Sequence, residues 1–306
     1  MRQEDVRARY QDAVETLCDK LKRDSHVLAA ILWGSLAYDQ VWDKSDIDMY
    51  IVMRDEKMKP TSYVLVENDV FIHAQLYPRN RFKKMLEGRN IFFQSTIELS
   101  TLLFSHDETI EQFYVERGQK IGAKDRENAL IREACGLFPT LVKAEKWHYV
   151  KNDVEYAFMW LMWVVESLAR IEVISRGEIV RREVIHQAIQ FNPDFFNAIY
   201  TDLIHQPKTT EANQAALDAV NGYIEERVDD IFESLFQFLA EAHGPRSMRE
   251  INDRFRRVAQ TGMTSACEWL SDRGYIDKVS APMRLVKGSR VNVEEAAFYF
   301  DEEMRF

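Results

Sequence analysis

The chain has 306 residues, of which 46% are apolar and 12% aromatic, so its length and composition predict two or three domains with well-packed cores. The net charge of −10 argues against a general affinity for the nucleic-acid backbone. Three cysteines lie far apart without metal-ligand spacing, which is typical of reduced residues in a cytoplasmic protein. The most apolar window, residues 156–165, is about half as long as a membrane span, so we expect a buried helix there and no membrane association.

The N-terminal part of the chain alternates between helical and strand patterns. Apolar residues at three- and four-residue spacing predict an amphipathic first helix, and short apolar runs bounded by polar residues predict strands. In chain order, we expect a helix over 4–22, a strand over 26–33, a short helix that begins at Gly34 and Ser35, a strand over 46–52, a hairpin of strands 63–67 and 70–77, and a strand leading into a helix over 99–114.

Further along the chain the pattern becomes helical. Glycine is scarce from about residue 126, and stretches at helical period continue up to His243, which predicts a helical bundle. A break at Gly244-Pro245 ends it. Two helices and a β-hairpin are expected beyond this break, over 247–257, 262–273, 275–286 and 291–300. Their order is that of a winged helix.

The stretch ILWGSLAYDQVWDKSDIDMYIV, residues 31–52, contains the residues that indicate chemistry. Gly34 is the only glycine in the first 87 residues, and a glycine between a strand and a helix lets the backbone approach a ligand closely. Free amides at a helix start, together with the Ser35 hydroxyl, can bind phosphate oxygens. Asp46 and Asp48 alternate on a strand, so both side chains emerge on one face. Paired carboxylates beside a phosphate site suit Mg²⁺.

This spacing resembles the signature of the nucleotidyltransferase superfamily of the polymerase β type. A Gly-Ser pair, ten intervening residues and Asp-hydrophobic-Asp, with Ser45 before the first aspartate, are similar to the minimal and kanamycin nucleotidyltransferase branch. The whole chain is similar to uncharacterised bacterial nucleotidyltransferase-like proteins that have helical and winged-helix C-terminal parts. The resemblance implies nucleotide contacts for Gly34, Ser35 and Ser45. It also implies Mg²⁺ binding by Asp46 and Asp48, with ATP or another NTP as substrate.

We therefore predict an α+β chain of three domains. Residues 1–120 would form a nucleotidyltransferase-like mixed sheet with helices, and residues 121–243 an α-helical bundle that binds the acceptor. Residues 244–306 would form a small winged-helix-like domain. A simpler interpretation stays open, in which Asp46 and Asp48 lie at the solvated end of a strand and Gly34 only makes a turn.

The third carboxylate that active members carry on a neighbouring strand is missing. The resemblance aligns it with His73, and Gln75 follows two residues later. Mg²⁺ favours oxygen over imidazole, so one metal could remain while the second metal of a two-metal mechanism would be weakened. His73 is either a general base, because imidazole exchanges protons near neutral pH, or a strand histidine without a catalytic role. Other acids that could supply the missing carboxylate or the general base are Glu67, Glu155 and Glu166.

Three functions are compatible with these observations. The preferred one is a cytoplasmic Mg²⁺-dependent enzyme that transfers a nucleoside monophosphate to a hydroxyl of an unidentified small molecule or protein. The second is a degenerate nucleotidyltransferase that acts as a nucleotide-binding sensor or interaction protein. The third is a winged-helix transcriptional regulator. Residues 245–306 contain 11 basic and 10 acidic residues, so we expect no nucleic-acid binding there. Packing or self-association is preferred, which leaves a homodimer open.

Overall fold

A computed structural model describes residues 3–38, 41–55, 58–86, 91–116, 123–242, 244–259 and 261–300. The chain divides into two compact units, Met1–Gln119 and Lys120–Phe306. None of the described helices has the length and hydropathy that crossing a membrane requires. The predicted fold class, α+β with a mixed sheet, is confirmed.

The N-terminal unit is built on a mixed five-stranded sheet. Its strands are β1 (Val27–Trp33), β2 (Ile47–Met53), β3 (Thr61–Glu67), β4 (Val70–Pro78) and β5 (Thr101–Ser105). They lie in the order β3-β4-β2-β1-β5. The β2–β4 pair is parallel and the other pairs are antiparallel. Because β2 lies between β1 and β4, side chains near the start of β2 have neighbours on both sides.

Both faces of this sheet are covered by apolar side chains. The helices are α1 (Gln3–Leu21), α2 (Arg79–Leu86), α3 (Ile91–Glu98) and α4 (Glu108–Glu116). Val6, Tyr10 and Val14 of α1 belong to one core cluster, together with Ile47 and Met49 of β2. The alternate residues of β2 lie in a second cluster on the opposite face, with Tyr50, Val52, Phe82, Phe93 and Ile110. Successive residues of β2 therefore pack alternately into the two core clusters.

The helix expected after Gly34 is not formed in the described residues. Residues 35–38 form a turn in which the Ala37 amide donates to the Gly34 carbonyl, at 3.0 Å. Leu36 and Ala37 pack on the first core, and Val41 is buried in it. Packing on the sheet holds Leu36 and Ala37 in this turn, and the described residues 35–38 form no helix. Asp39 and Gln40, which the expected helix included, lie outside the described residues.

The second unit is mainly helical, as its periodicity predicted. Its α-helices are α5 (Ala123–Glu145), α6 (Val154–Ser175), α7 (Val184–Phe191), α8 (Pro193–Phe196), α9 (Leu203–His205), α10 (Thr210–Glu225) and α11 (Val228–Ala240), and two π-helical segments cover Lys146–Val150 and Asn197–Asp202. The side chain of Asp153 caps α6 by accepting from the Tyr156 amide. Glu172 is buried in α6 and accepts a hydrogen bond from the Tyr223 hydroxyl at 2.7 Å.

The C-terminal segment has the expected order of two helices and a hairpin. It comprises β6 (Arg246–Ser247), α12 (Met248–Phe255), α13 (Met263–Asp272), β7 (Asp277–Met283) and β8 (Val293–Tyr299), with the sheet order β6-β8-β7. The ring of Trp269 in α13 lies 5.1 Å from that of Phe138 in α5. The segment therefore packs within the second unit. The domain boundaries at 120/121 and 243/244 stay predictions, and residues 120–122 and 243 lie outside the described part of the chain.

Candidate active site

The site predicted from the Asp-x-Asp motif lies where β2 and β4 run side by side. Their parallel pairing places Asp48 directly opposite His73. The Nδ1 atom of His73 lies 3.9 Å from Asp48 Oδ1 and 3.9 Å from Asp46 Oδ2. The structure thus brings together the two carboxylates and the histidine that the sequence singled out.

Strand alternation explains why these side chains share one face. Ile47, between the two aspartates, is fully buried in the core formed with α1. Its neighbours in the chain therefore emerge on the other face. On β4, the buried Ile72 and Ala74 flank His73 in the same way. Asp48 is mostly buried, whereas Asp46 and His73 are about half exposed, so a solvent molecule or a ligand can reach the group.

Gly34 lies directly against the carboxylate of Asp48. Trp33, the last residue of β1, is the antiparallel partner of Asp48, and Gly34 follows it with φ at +83°. A Cβ atom at position 34 would lie 2.5 Å from Asp48 Oδ2. The positive φ favours glycine, and a side chain here would also have to push the end of the Asp48 side chain aside. Ser35 is the next residue, in the turn, so the Gly-Ser pair directly follows the β1 residue that lies across from Asp48.

Ser45 has a role in its own loop. Its Oγ accepts a hydrogen bond from the Trp42 amide at 3.1 Å, and its carbonyl accepts one from the Tyr10 hydroxyl at 2.6 Å. These bonds fix the residue that precedes Asp46. A nucleotide contact for Ser45 stays a prediction, while its structural contribution to the loop is clear.

An aromatic layer lies beneath the site and was not predicted from the sequence. The rings of Trp33 and Tyr50 stack with centroids 5.2 Å apart, one residue before Gly34 and two after Asp48. Burial, with Tyr77 and Asp48 nearby, raises the pKa of Tyr50 well above its usual range, so its hydroxyl stays neutral. The indole Nε1 of Trp33 is buried and has no hydrogen-bond partner among the described residues. The tryptophan immediately before Gly-Ser was the available signal.

Other residues considered for the third position have partners elsewhere in the structure. Glu67 is buried and pairs with Lys20 of α1, with Nζ 2.6 Å from Oε2. Gln75 is on the face of His73, and its Oε1 accepts from the Tyr77 hydroxyl at 3.2 Å. Glu166 pairs with Arg170 at 2.7 Å in the second unit. His73, by contrast, lies beside both aspartates.

The donor set suits a hard cation that shares its ligands with a substrate. Among the described residues, no cluster of three or more His, Cys, Asp or Glu side chains forms a ready-made metal cage. Two carboxylates from one strand are what a Mg²⁺ ion uses when phosphate oxygens and water supply its other ligands. Asp46 and Asp48 therefore fit one Mg²⁺. His73 is a poor ligand for a second such ion, because imidazole suits softer metals.

Comparison with known proteins gives a consistent result. Residues 15–127 match the family model "Polymerase beta, Nucleotidyltransferase". This match confirms, over those residues, the resemblance to the nucleotidyltransferase superfamily. A crystal structure of a nucleotidyltransferase-like protein from Exiguobacterium sibiricum 255-15 is similar in fold, with a TM-score of 0.66 and 16% sequence identity, over 94% of this chain and 98% of that one. No curated protein matches the sequence.

Proposed function

We propose that this chain, with its nucleotidyltransferase-like N-terminal domain, binds a Mg²⁺–NTP and transfers the nucleoside monophosphate to a hydroxyl group. The observation that carries the proposal is the close packing of Gly34 against the Asp48 carboxylate, with Asp46 and His73 on the same face. The positive φ of Gly34 alone would also suit a plain turn. It is the grouping of both carboxylates with His73 on one face that favours a binding site over the simpler interpretation.

Each residue of the site has a task in this proposal. The turn at Gly34 and Ser35 would hold the phosphates through backbone amides and a hydroxyl, since glycine leaves the backbone accessible. Asp46 and Asp48 would hold Mg²⁺, which supplies positive charge against the triphosphate and the transferring phosphoryl group. His73, beside both carboxylates, is positioned to accept the proton of the attacking hydroxyl.

One observation favours a second candidate, a nucleotide-binding protein without turnover. The residue opposite Asp48 on β4 is His73 and not a carboxylate. If the imidazole does not act as a base, the site keeps one metal-binding pair and lacks the group that activates the acceptor. The chain would then bind nucleotide without turnover and act as a sensor or interaction protein.

A binding experiment tests the part that both candidates share. We expect Mg²⁺–ATP to raise the melting temperature of the protein, because a ligand that binds only the folded state adds about 2.7 kcal/mol of stability at a hundred times its Kd. The D46N/D48N variant should lose this shift. The control D19N/D69N removes the same number of carboxylates, both exposed, from the N-terminal unit and should keep the shift. An equal shift in D46N/D48N would refute the proposed metal site.

A labelling experiment then separates the candidates. The protein is incubated with Mg²⁺ and each α-³²P-labelled NTP, with and without a bacterial extract as the source of acceptors. A transferase gives labelled products that require Mg²⁺ and disappear in D46N/D48N. A protein that only binds nucleotide gives the thermal shift and no labelled product.

A further inference from the structure

An exposed apolar patch continues the face of the candidate site toward the edge of the sheet. It consists of Val64 and Val66 on β3 and Phe71 on β4, whose exposed fractions are 61%, 59% and 59%. Val64 is the antiparallel partner of His73, and Val66 is the partner of Phe71. Paired residues point to the same face of a sheet, as do residues two apart on one strand. The apolar patch therefore lies on the face of His73 and directly beside it.

The composition of β3 is unusual for a strand at the edge of a sheet. Edge strands commonly carry lysine, proline or a bulge that keeps other molecules away. Residues 61–66 of β3, TSYVLV, contain no charged residue and no proline, and the charged Glu67 that ends the strand is buried and paired with Lys20. The strand pairs with β4 without a register shift. Single exposed apolar residues are ordinary on protein surfaces, but three at neighbouring positions on one face, beside a polar site, indicate a binding surface.

Four neighbouring strands place the groups of the site in one row. Gly34 directly follows the β1 residue that pairs with Asp48; Asp48 pairs with His73, and His73 pairs with Val64. The turn assigned to the phosphates and the apolar patch are thus at opposite ends of the row, with the carboxylates and the histidine between them. In nucleotidyl transfer the attacking oxygen and the leaving pyrophosphate are roughly in line. A pyrophosphate held near Gly34 leaves the apolar side for the acceptor.

We infer that the apolar patch binds the apolar part of the acceptor, an inference that rests on the proposed function. It assigns the acceptor to hydroxyl compounds that carry an aromatic ring or a branched aliphatic group a few bonds from the hydroxyl. Paired residues are about 5 Å apart across the strands, and alternate residues about 7 Å apart along a strand. This area matches one ring. It is far below the roughly 800 Å² per partner of a stable protein interface, so the occupant is a small molecule.

The chemical step is a balanced transfer. The acceptor oxygen forms a bond to the α-phosphorus, and the bond from that phosphorus to the oxygen bridging to the β-phosphate breaks. Pyrophosphate leaves with the bonding electron pair, and the hydroxyl proton passes to the imidazole of His73. His73 borders both the carboxylates and the apolar patch, so an alcohol bound on the patch has its oxygen close to the proton acceptor.

The test uses defined alcohols and a matched pair of variants of the full chain. The probes are 3-phenylpropan-1-ol and 3-methylbutan-1-ol, with glycerol as the polar comparison, and binding is followed by saturation-transfer NMR. We expect the first two alcohols to bind more tightly than glycerol. In V64T/F71T their affinity should fall about tenfold or more, since two apolar contacts are lost. Tyr63→Thr changes an equally exposed residue on the opposite face of β3 and should leave binding unchanged.

The outcomes separate this inference from the proposed function. Mg²⁺–ATP binding is measured in the same variants and should persist in V64T/F71T, because no patch residue belongs to the phosphate or metal site. If the wild type does not bind Mg²⁺–ATP, the proposed function fails independently of the alcohols. If Mg²⁺–ATP binds but the apolar alcohols bind no better than glycerol, or bind V64T/F71T equally well, the patch does not serve the acceptor. A homodimer by light scattering that dissociates in V64T/F71T would also overturn the inference, because a second copy would then cover the patch.

Discussion

The carboxylate of Asp48 occupies the space that a side chain at position 34 would need. Asp48 Oδ2 lies 2.5 Å from the place of a Cβ on Gly34, and the backbone of Gly34 has φ at +83°. The glycine of the Gly-Ser pair and the second aspartate of the motif are therefore one structural unit, although fourteen positions separate them. Changing either residue should disturb the other.

Replacing Gly34 with alanine should weaken Mg²⁺–ATP binding about 10- to 100-fold, because the new methyl group displaces the Asp48 carboxylate by a large part of an ångström. The binding constant is measured by calorimetric titration. Gly177→Ala is the matched control, since Gly177 also has positive φ, at +72°, but open space around its Cβ position. It introduces comparable backbone strain in the other unit. Equal losses in the two variants would show that strain, and not contact with Asp48, is responsible.

A second prediction concerns acid stability and the ion pair of Arg79 with Asp107, which connects the start of α2 to the cap of α4. Burial raises the pKa of Asp107, but hydrogen bonds from Arg79 and Thr109 outweigh it and hold the pKa at about 2, below the ordinary 3.8. A carboxyl with a depressed pKa in the folded state stabilises the fold above its unfolded pKa. That contribution is lost as the pH falls toward the folded pKa.

Asp107→Asn should therefore lower the free energy of unfolding by roughly 2 kcal/mol at pH 7, and by about half as much at pH 3. Urea denaturation at both pH values measures the difference. Glu108→Gln, which changes the neighbouring exposed carboxylate, should show little effect at either pH. A loss for Asp107→Asn that is the same at pH 7 and pH 3 would contradict the depressed pKa.

Periodicity and spacing were sufficient to predict much of the N-terminal unit. The strands over 26–33, 46–52 and 70–77 agree closely with β1, β2 and β4, because alternating burial leaves a direct trace in the sequence. The placement of His73 near the aspartates was implied by the family resemblance, and the parallel pairing of β2 and β4 puts His73 opposite Asp48. The turn over 35–38 was misjudged because a short apolar segment can pack on a sheet without becoming a helix.

Long-range relationships left no pattern that could be read from the sequence. The sequence makes Glu67 a candidate acid for the site, but in the structure it pairs with Lys20, 47 positions earlier. Gly262 has φ at +83°, and a Cβ there would lie 1.7 Å from the carbonyl oxygen of Cys135 in α5. Neither the contact of Gly262 nor that of Glu67 is encoded by local spacing, because each depends on how distant elements meet.

The Gly262 contact leads to a third prediction, on the packing of α13 against α5. Gly262→Ala should destabilise the second unit by about 3 kcal/mol or more, because the methyl group and a main-chain oxygen cannot share the same space. Gly274→Ala is the matched control, with φ at +76° and nothing near its Cβ position, and should cost about 1 kcal/mol from strain alone. Thermal and urea denaturation measure both. Similar losses would argue against the close approach of α13 and α5.

The last prediction tests His73, which decides between a transferase and a protein that only binds nucleotide. His73→Asp places a carboxylate opposite Asp48 on the parallel strand, next to both aspartates that are proposed to bind the metal. A third oxygen ligand should lower the Mg²⁺ concentration needed for the ATP-dependent thermal shift on the order of tenfold, since affinity for hard cations rises with the number of charged oxygen ligands. Any transfer of label from α-³²P-ATP should also increase in this variant.

Two further variants make this result interpretable. Gln75→Asp adds a carboxylate to the same face but one row further along β4, opposite Tyr50, and should not change the Mg²⁺ requirement. If the imidazole is the general base, His73→Ala should reduce transfer by about 10²–10⁴-fold. If the protein only binds nucleotide, His73→Ala should leave Mg²⁺–ATP binding unchanged, and neither the wild type nor the variant should transfer label. A His73→Asp variant that needs as much Mg²⁺ as the wild type would mean that β4 does not supply the third ligand. Because His73 lies 3.9 Å from each aspartate, that result would require the bound metal to sit on the Gly34 side of Asp48, away from β4.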